Sequence, residues 1–271
     1  MPGLVNEKAR IVSNDQVGPR LHVMVLEAPV LAKSIMPGQF VHMKVPGAPD
    51  HILRRPFSIY ARDVQACTVD VLYQEVGTLT RFMPSLACGQ EAELIGPIGN
   101  QWSAPARFAD SACTHALLVG GGVGAAPLFM LAESLRALGC PTDVVLGAQT
   151  KDAIIARERY ESLLGFEPFC ATDDGTYGRA GFCTSLVEER LAQGCAYDGA
   201  PYDYLAVCGP EPLMRIVAGY GAQAGVYTEV SMEKRMACGI GACLSCVVDT
   251  VDGKRRSCVD GPIFDAAKVV W

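Results

Sequence analysis

The chain has 271 residues, half of them hydrophobic and 19% charged, with a net charge of −6. That length accommodates about two domains with buried cores. The acidic balance and the lack of any Lys/Arg block exclude a surface built to neutralise nucleic-acid phosphates or to hold an anionic membrane.

The N-terminus, MPGLVNEKARIVSN, has no apolar stretch behind a positive start and does not read as a signal peptide. Residues 1–100 read as β. Short runs rich in Val, Ile, Phe and Tyr at 10–13, 21–27, 40–45, 57–62 and 68–76 are separated by breakers such as PGAPD and MPGQ. Such spacing predicts a small antiparallel barrel. A short helix is expected after Gly77, in TLTRFMPSL, and one more strand at 92–95 leads into GPIGN.

From residue 101 the texture changes. An apolar run, HALLVG, meets GGVG and then a helical pattern, APLFMLAESLRALG; TDVVLGAQ is the next strand. A short helix and a strand within 165–172 follow, then a helix in FCTSLVEERLAQG, a strand in DYLAVCG and a helix in EPLMRIVAGYGAQAG. Alternating strands and helices predict a parallel sheet covered on both faces, with VYTEVS closing it near residue 231. The uncharged run 111–132 is long enough to span a bilayer, but its Gly cluster and Pro127 favour a buried strand, a turn and a helix. Residues 232–271 are too few for a core of their own without a staple. They hold a cysteine cluster and CVVDTVDGKRRSC, which reads as a hairpin with an Asp-Gly turn at 252–253.

Twelve cysteines with no export signal point to a reducing, cytoplasmic setting. Cys67, Cys88, Cys113, Cys140, Cys170, Cys183, Cys195 and Cys208 are scattered singly among apolar residues and read as small buried hydrophobes. Cys238, Cys243, Cys246 and Cys258 instead follow C-x4-C-x2-C-x11-C, the plant-type [2Fe–2S] spacing. Gly239 and Gly241 let the loop curl so that backbone N–H groups face the sulfurs. A structural zinc ion is the competing reading, although zinc favours two C-x2-C-like pairs and only Cys243 and Cys246 make one.

LRRPFSIY places Arg55 and Ser58 on a barrel strand, where a guanidinium can fork onto a pyrophosphate and a hydroxyl can reach a ring nitrogen. GGGVGAAP lies between a strand and a helix, the context for phosphate binding, but also that of a tight packing turn. The acid that a standard dinucleotide fingerprint wants at the end of the second strand is missing; Asp143 lies at that strand's start. CGPEPLM again follows a strand and opens a helix. No Ser-His-Asp ordering or Cys/His cluster supports a hydrolase, and no residue stands out as catalytic.

RRPFSIY on a barrel, GGGVGAAP with CGPEP on an α/β unit, and a four-cysteine tail follow one another in an order that resembles the ferredoxin–NADP reductase superfamily. Within it, the chain is similar to the family of electron-transfer subunits of NAD-linked dihydroorotate dehydrogenases. PGQFVHMKVP, VLYQEVGTLT, GPIGNQW, GAQTKDAII, CATDDGTYG and SMEKRMACGIGACLSCVV with RRSCVDGPIF carry the likeness over nearly the whole chain. The resemblance implies an FAD-binding barrel (1–100), an NAD-binding α/β domain (101–231) and a [2Fe–2S] segment (232–271). It implies FAD contacts at Arg55, Pro56, Phe57, Ser58, Leu72, Tyr73 and Gln74, although Gln74 stands where relatives commonly carry a basic residue. The Gly-Thr turn of the family matches GTLT either through Gly77 and Thr78 or through Leu79 and Thr80. Gly120, Gly121, Gly122 and Gly124, with Cys208, Gly209 and Pro210, would face NAD; the four clustered cysteines would ligate the iron. The implied partner is an FMN-containing dihydroorotate dehydrogenase catalytic subunit, in a heterotetramer of two of each, serving pyrimidine biosynthesis. Electrons would pass from that FMN through [2Fe–2S] and FAD to NAD+. The alternatives are an NAD(P)H-dependent ferredoxin or flavoprotein oxidoreductase subunit with another electron partner, and a zinc-stapled interaction protein.

Overall fold

The computed structural model describes residues 3–104 and 115–271. Six strands close an antiparallel barrel in the order β1-β2-β5-β4-β3-β6. They are β1 (Val5–Gly18), β2 (Leu21–Glu27), β3 (Phe40–Lys44), β4 (Arg55–Asp63), β5 (Thr68–Gln74) and β6 (Glu91–Ile98). Alternate residues fill the interior, among them Met24, Leu26, Val41, Met43, Ile59, Val69, Val71 and Leu94, as the two-residue period of strands requires. β1 is much longer than residues 10–13. Its first half pairs with β6 and its second with β2, across a bulge between Ile11 and Ser13. Only Ala9 and Ile11 of β1 are buried, so most of the strand lacks an apolar signature. Residues 29–34 carry no clear period and fold as α1 (Pro29–Ser34), which lowers Leu31 and Ala32 onto the barrel core. The Glu7 carboxylate accepts the N–H groups of Val30 and Leu31, each at 2.9 Å, two donors that a helix start leaves without a backbone partner. After Gly77 come α2 (Thr78–Phe82) and a short 3-10 turn.

The second layer is a seven-stranded sheet in the order β10-β9-β8-β7-β11-β12-β15. Its members are β7 (Ala116–Gly121), β8 (Thr142–Ala148), β9 (Phe169–Thr172), β10 (Arg179–Ala180), β11 (Tyr204–Cys208), β12 (Tyr227–Ser231) and β15 (Ile263–Asp265). Helices α3 (Ala126–Ala137), α4 (Arg157–Leu164), α5 (Thr184–Gln193) and α6 (Glu211–Ala224) connect the parallel strands. β12 does not close the sheet as the sequence pattern predicts. β15 pairs antiparallel beyond it, Val230 opposite Phe264. A segment too short for its own core borrows one: Val248, Phe264, Ala266 and Val269 bury among residues of the sheet. The expected hairpin is present as β13 (Val247–Thr250) and β14 (Gly253–Arg256). Its two-residue loop is Val251 and Asp252, and Gly253, at φ 95°, takes the left-handed position after it.

The barrel and the sheet share one apolar cluster, in which Leu21, Tyr60, Ala61 and Leu72 meet Ala126, Phe129 and Tyr160. Arg159 bridges the layers: it lies 3.2 Å from Asp70 and over the rings of Tyr60 and Phe129, at 4.4 and 4.6 Å. Of the uncharged run 111–132, residues 111–114 lie outside the described residues, as does Cys113; the rest forms β7, a turn and the start of α3. Among the described residues no helix is long and apolar enough to cross a membrane.

The C-terminal segment is locked to the barrel by Asn100. Its side-chain amide donates to the carbonyls of Ile263 (2.8 Å) and Asp260 (3.2 Å), and its Oδ1 accepts the N–H of Ile263 at 2.9 Å. Replacing Asn100 by Ala removes three half-buried hydrogen bonds, each worth about 1 kcal/mol. Urea unfolding is expected to show a loss of about 3 kcal/mol for Asn100→Ala; an unchanged midpoint would show that the segment is held by other contacts.

Candidate functional site

The carboxyl ends of β7, β8, β9 and β11 surround a cavity of about 590 Å³. Two loops define it. The turn after β7, Gly121 to Gly124, faces the loop after β11, Gly209 and Pro210. The glycines divide by role. A Cβ on Gly124 would lie 2.3 Å from the Cys208 carbonyl oxygen, and one on Gly120 would lie 2.8 Å from Ala125 Cα. One on Gly121 would meet Leu213 at 2.5 Å. These three let the loops and the helix interlock. Gly122, at φ 55° with nothing within 4 Å of a Cβ, turns its backbone toward open space. Cys208 is buried beneath the loops, and that burial, with the nearby Glu233, raises its thiol well above the ordinary range.

Asp143 is fully buried at the start of β8, where it accepts from Ala196 N–H at 2.8 Å and from the Tyr202 hydroxyl at 2.5 Å. It is a structural group far along the strand from the cavity. The acid at the cavity is Asp173, just past β9, with Glu233 as the second carboxylate, and among the described residues no Lys or Arg lines the cavity. Sequence reasoning passed over Asp173 because it sought the acid after the second strand; the parallel-strand pattern places CATDD at the end of the third. Phe182, Cys183, Leu213 and Ile216 also line the cavity and carry no motif.

The barrel strand β4 supplies the second part. Pro56 and Ser58 are half-buried and lie on its outer face, while Phe57 points into the core. Arg54 is spent on Glu93, at 2.7 Å. Arg55 donates only to the carbonyls of Leu53 and Arg54 and has no carboxylate partner among the described residues, which leaves its guanidinium able to take an anion. Leu72 packs into the shared cluster, the Tyr73 hydroxyl donates to Asn14 at 2.9 Å, and the exposed Gln74 lines the cavity. Of the Gly-Thr alternatives, Gly77 and Thr78 are exposed. Leu79 is core, and the Thr80 hydroxyl is occupied by the N–H groups of Val76 and Gly77, both at 2.9 Å. The open pair is Gly77 and Thr78.

The four clustered cysteines converge on the outer face of the barrel. Cys246 and Cys258 are buried against Phe40 and Ile98; Cys238 is half-buried and Cys243 exposed. The loop is shaped by left-handed residues, Gly239 at φ 69° and Gly241 at φ 85°. Cys243 N–H donates to Cys238 Sγ at 3.4 Å. Although burial opposes it, the N–H groups of Ile240, Cys243 and Ala242 and the Cys243 thiol bring the Cys238 thiol down to about 6. Backbone donors aimed at a sulfur suit an anionic iron–sulfur group. Burial and the neighbouring Cys246 push Cys258 up to about 12, as expected of two thiols crowded together. Among the described residues no three of these sulfurs lie within 4.8 Å of one another, whereas one tetrahedral ion with ~2.3 Å bonds holds its sulfurs about 3.8 Å apart. The donor set therefore fits a two-iron group better than a single zinc. Gly239 packs under His42 of β3: a Cβ there would lie 2.7 Å from His42 Nδ1.

A flavin-type barrel, a parallel-sheet nucleotide domain and four thiols docked on the barrel define a ferredoxin–NADP-reductase-like oxidoreductase. A structure described as a flavin-based electron-bifurcating NADH-dependent reduced ferredoxin-NADP oxidoreductase matches all of this chain and 92% of its own, with TM-score 0.82 and 25% identity. Residues 233–270 match the iron–sulfur cluster binding domain of dihydroorotate dehydrogenase B. The dihydroorotate dehydrogenase B (NAD(+)) electron transfer subunit of Geobacillus kaustophilus is 35% identical over 97% of this chain and 98% of its own. That of Bacillus velezensis is 36% identical over 96% of both. The chain belongs to this family, the electron-transfer subunits of dihydroorotate dehydrogenase B.

Two glycine substitutions separate a packed position from an open one. Gly124→Ala is expected to cost about 3 kcal/mol by overpacking the loop junction, read by thermal unfolding. Gly122→Ala is expected to cost about 1 kcal/mol for its left-handed backbone; equal effects at both positions would contradict the division. Gly239→Ala is expected to halve, at least, the iron and sulfide bound per chain, and full occupancy in that variant would show that the contact with His42 is slack.

Proposed function

We propose that this chain carries electrons between an FMN-containing catalytic subunit that oxidises dihydroorotate and NAD+, as part of pyrimidine synthesis in the cytoplasm. The single observation that carries the reading is the placement of Cys246 and Cys258 against the barrel face that bears Pro56 and Ser58, with a cavity at the carboxyl ends of the sheet strands lined by Gln74 of the barrel. When bound, FAD supplies the exchange between hydride pairs and single electrons, and [2Fe–2S] the one-electron link.

The chain's own residues position these groups. Arg55 takes the pyrophosphate of FAD, Ser58 hydrogen-bonds its ring system, and Gly77 and Thr78 present backbone to the phosphates. Pro56, Phe57, Leu72, Tyr73 and Gln74 shape the remainder of that site. Gly122 and Gly209 bring backbone to the nicotinamide nucleotide, while Gly120, Gly121, Gly124, Cys208 and Pro210 hold those loops. Cys238, Cys243, Cys246 and Cys258 ligate the iron. Cavity walls that hold Asp173 and Glu233 but, among the described residues, no cation favour NAD over NADP, whose added phosphate would meet negative charge without a partner. The exposed Cys243, flanked by the exposed Ile240 and Leu244, marks the edge that meets the catalytic subunit, in a heterotetramer of two of each. The units divide after residue 100 and after residue 231.

The likeness to the ferredoxin-NADP oxidoreductase supports a second reading, an NAD(P)H-dependent oxidoreductase subunit with a different electron partner. Anaerobic purification with quantification of iron, sulfide, zinc and flavin tests the common part. Two iron, two sulfide and one FAD per chain are expected; one zinc without sulfide or flavin would overturn both readings. Dihydroorotate-dependent reduction of NAD+ on adding the FMN subunit separates them. Turnover with NADPH is expected to be at least tenfold below that with NADH, and Asp173→Ala is expected to narrow the gap; equal rates in the unmodified chain would refute the electrostatic argument.

A further inference from the structure

His42 is buried, with 1% of its surface exposed, and neither ring nitrogen has a hydrogen-bond partner. Buried polar atoms without partners are rare and call for an explanation. Along β3 the side chains alternate: Val41 and Met43 enter the barrel core, whereas Phe40 and His42 point outward. Phe40 packs on Cys246 and Cys258, and the His42 ring lies 6.5 Å from the Phe40 ring. Across the strand pair, Phe40 stands opposite Ser58 and His42 opposite Pro56. On its far side the imidazole presses on Gly239, with Nδ1 the ring atom nearest a Cβ built there. An imidazole with unmet hydrogen-bonding capacity is thus clamped between the strand assigned to the flavin and the residue that follows the first cysteine of the cluster loop. Either protonation state of the imidazole carries at least one N–H able to donate.

We propose that His42 donates an N–H hydrogen bond to a sulfur of the [2Fe–2S] group held by Cys238, Cys243, Cys246 and Cys258, a donor the cysteine motif does not include. The inference rests on the cluster reading given above. Its chemical effect follows from charge. Reduction adds one negative charge to the group, and a donor at sulfur stabilises that state more than the oxidised one. His42 therefore raises the reduction potential of the cluster and favours its acceptance of electrons.

The test uses the chain with FAD and iron–sulfur group in place. Iron and sulfide analysis of the unmodified protein comes first: their absence would sink the cluster reading itself. With the group present, an electron paramagnetic resonance titration compares the unmodified protein with His42→Phe, which keeps a ring and removes both nitrogens. At fixed solution potential the ratio of reduced to oxidised cluster is expected to fall at least tenfold in the variant, a shift of 59 mV for one electron. An unchanged ratio at full iron content would overturn the proposal. Should His42→Phe fail to hold iron, the unmodified protein decides, labelled with 15N in histidine. Pulsed resonance of its reduced state is expected to show hyperfine coupling to an imidazole nitrogen. A spectrum in which every nitrogen coupling is unaffected by the label would overturn the proposal.

Discussion

The C-terminal forty residues cannot fold alone, and their double docking is the constraint on which the site depends. The segment leaves the sheet from β12, which ends at Ser231, and residues 260–263 are tied to the barrel through Asn100, whose N–H also donates to the Gly261 carbonyl at 2.6 Å. Directly after that tie, β15 returns to the sheet beside β12. Between β12 and the Asn100 tie the chain passes over the outer face of the barrel, and the four cysteines lie on that path. Close packing at the crossing leaves little slack: a Cβ on Gly99 would lie 2.5 Å from Pro262, and one on Gly261 would lie 2.3 Å from the Phe264 ring. The cysteine loop is therefore positioned by rigid elements on both sides, as a redox group with a fixed neighbour requires.

The same economy appears in the turn between the loops of the nucleotide cavity. Three of its four glycines are needed because backbone meets backbone or helix, and only one faces open space. A glycine-rich motif is thus both a packing device and a ligand cradle. The interlock of the turn with the Cys208–Gly209 loop also explains why Cys208 is sealed from solvent. Its thiol, raised by burial, is a small apolar filler beneath the cavity at neutral pH.

Charge is distributed with similar restraint. Most ion pairs are on the surface, where they contribute little. Arg159 adds reach to its pair: it extends from α4 to Asp70 on β5 and lies over two aromatic rings. It links the sheet layer to the barrel at the edge of the shared apolar cluster. Among the described residues the cavity carries two carboxylates and no cation, the reverse of the arrangement at Arg55, which has no acid beside it.

Much was decided by the sequence alone, because it is written in local rules. Alternating apolar residues forced the barrel strands, and the switch to a strand–helix period forced the parallel sheet. Four thiols at fixed spacing, with glycines able to adopt left-handed backbone, forced a curled metal-binding loop. Other features depended on long-range contact and had no local sign. β1 is largely polar and is a strand only because β2 and β6 flank it. β15 has three residues and is a strand only because β12 offers an open edge. The choice of Gly77 and Thr78 over Leu79 and Thr80 rests on which side chains the barrel core absorbs. Asp173 became the cavity acid, and Asp143 a buried structural group, through the order in which strands lie in the sheet. His42 is an ordinary residue of an alternating strand until the C-terminal segment folds over it, and only that contact brings its unpartnered imidazole against the cysteine loop.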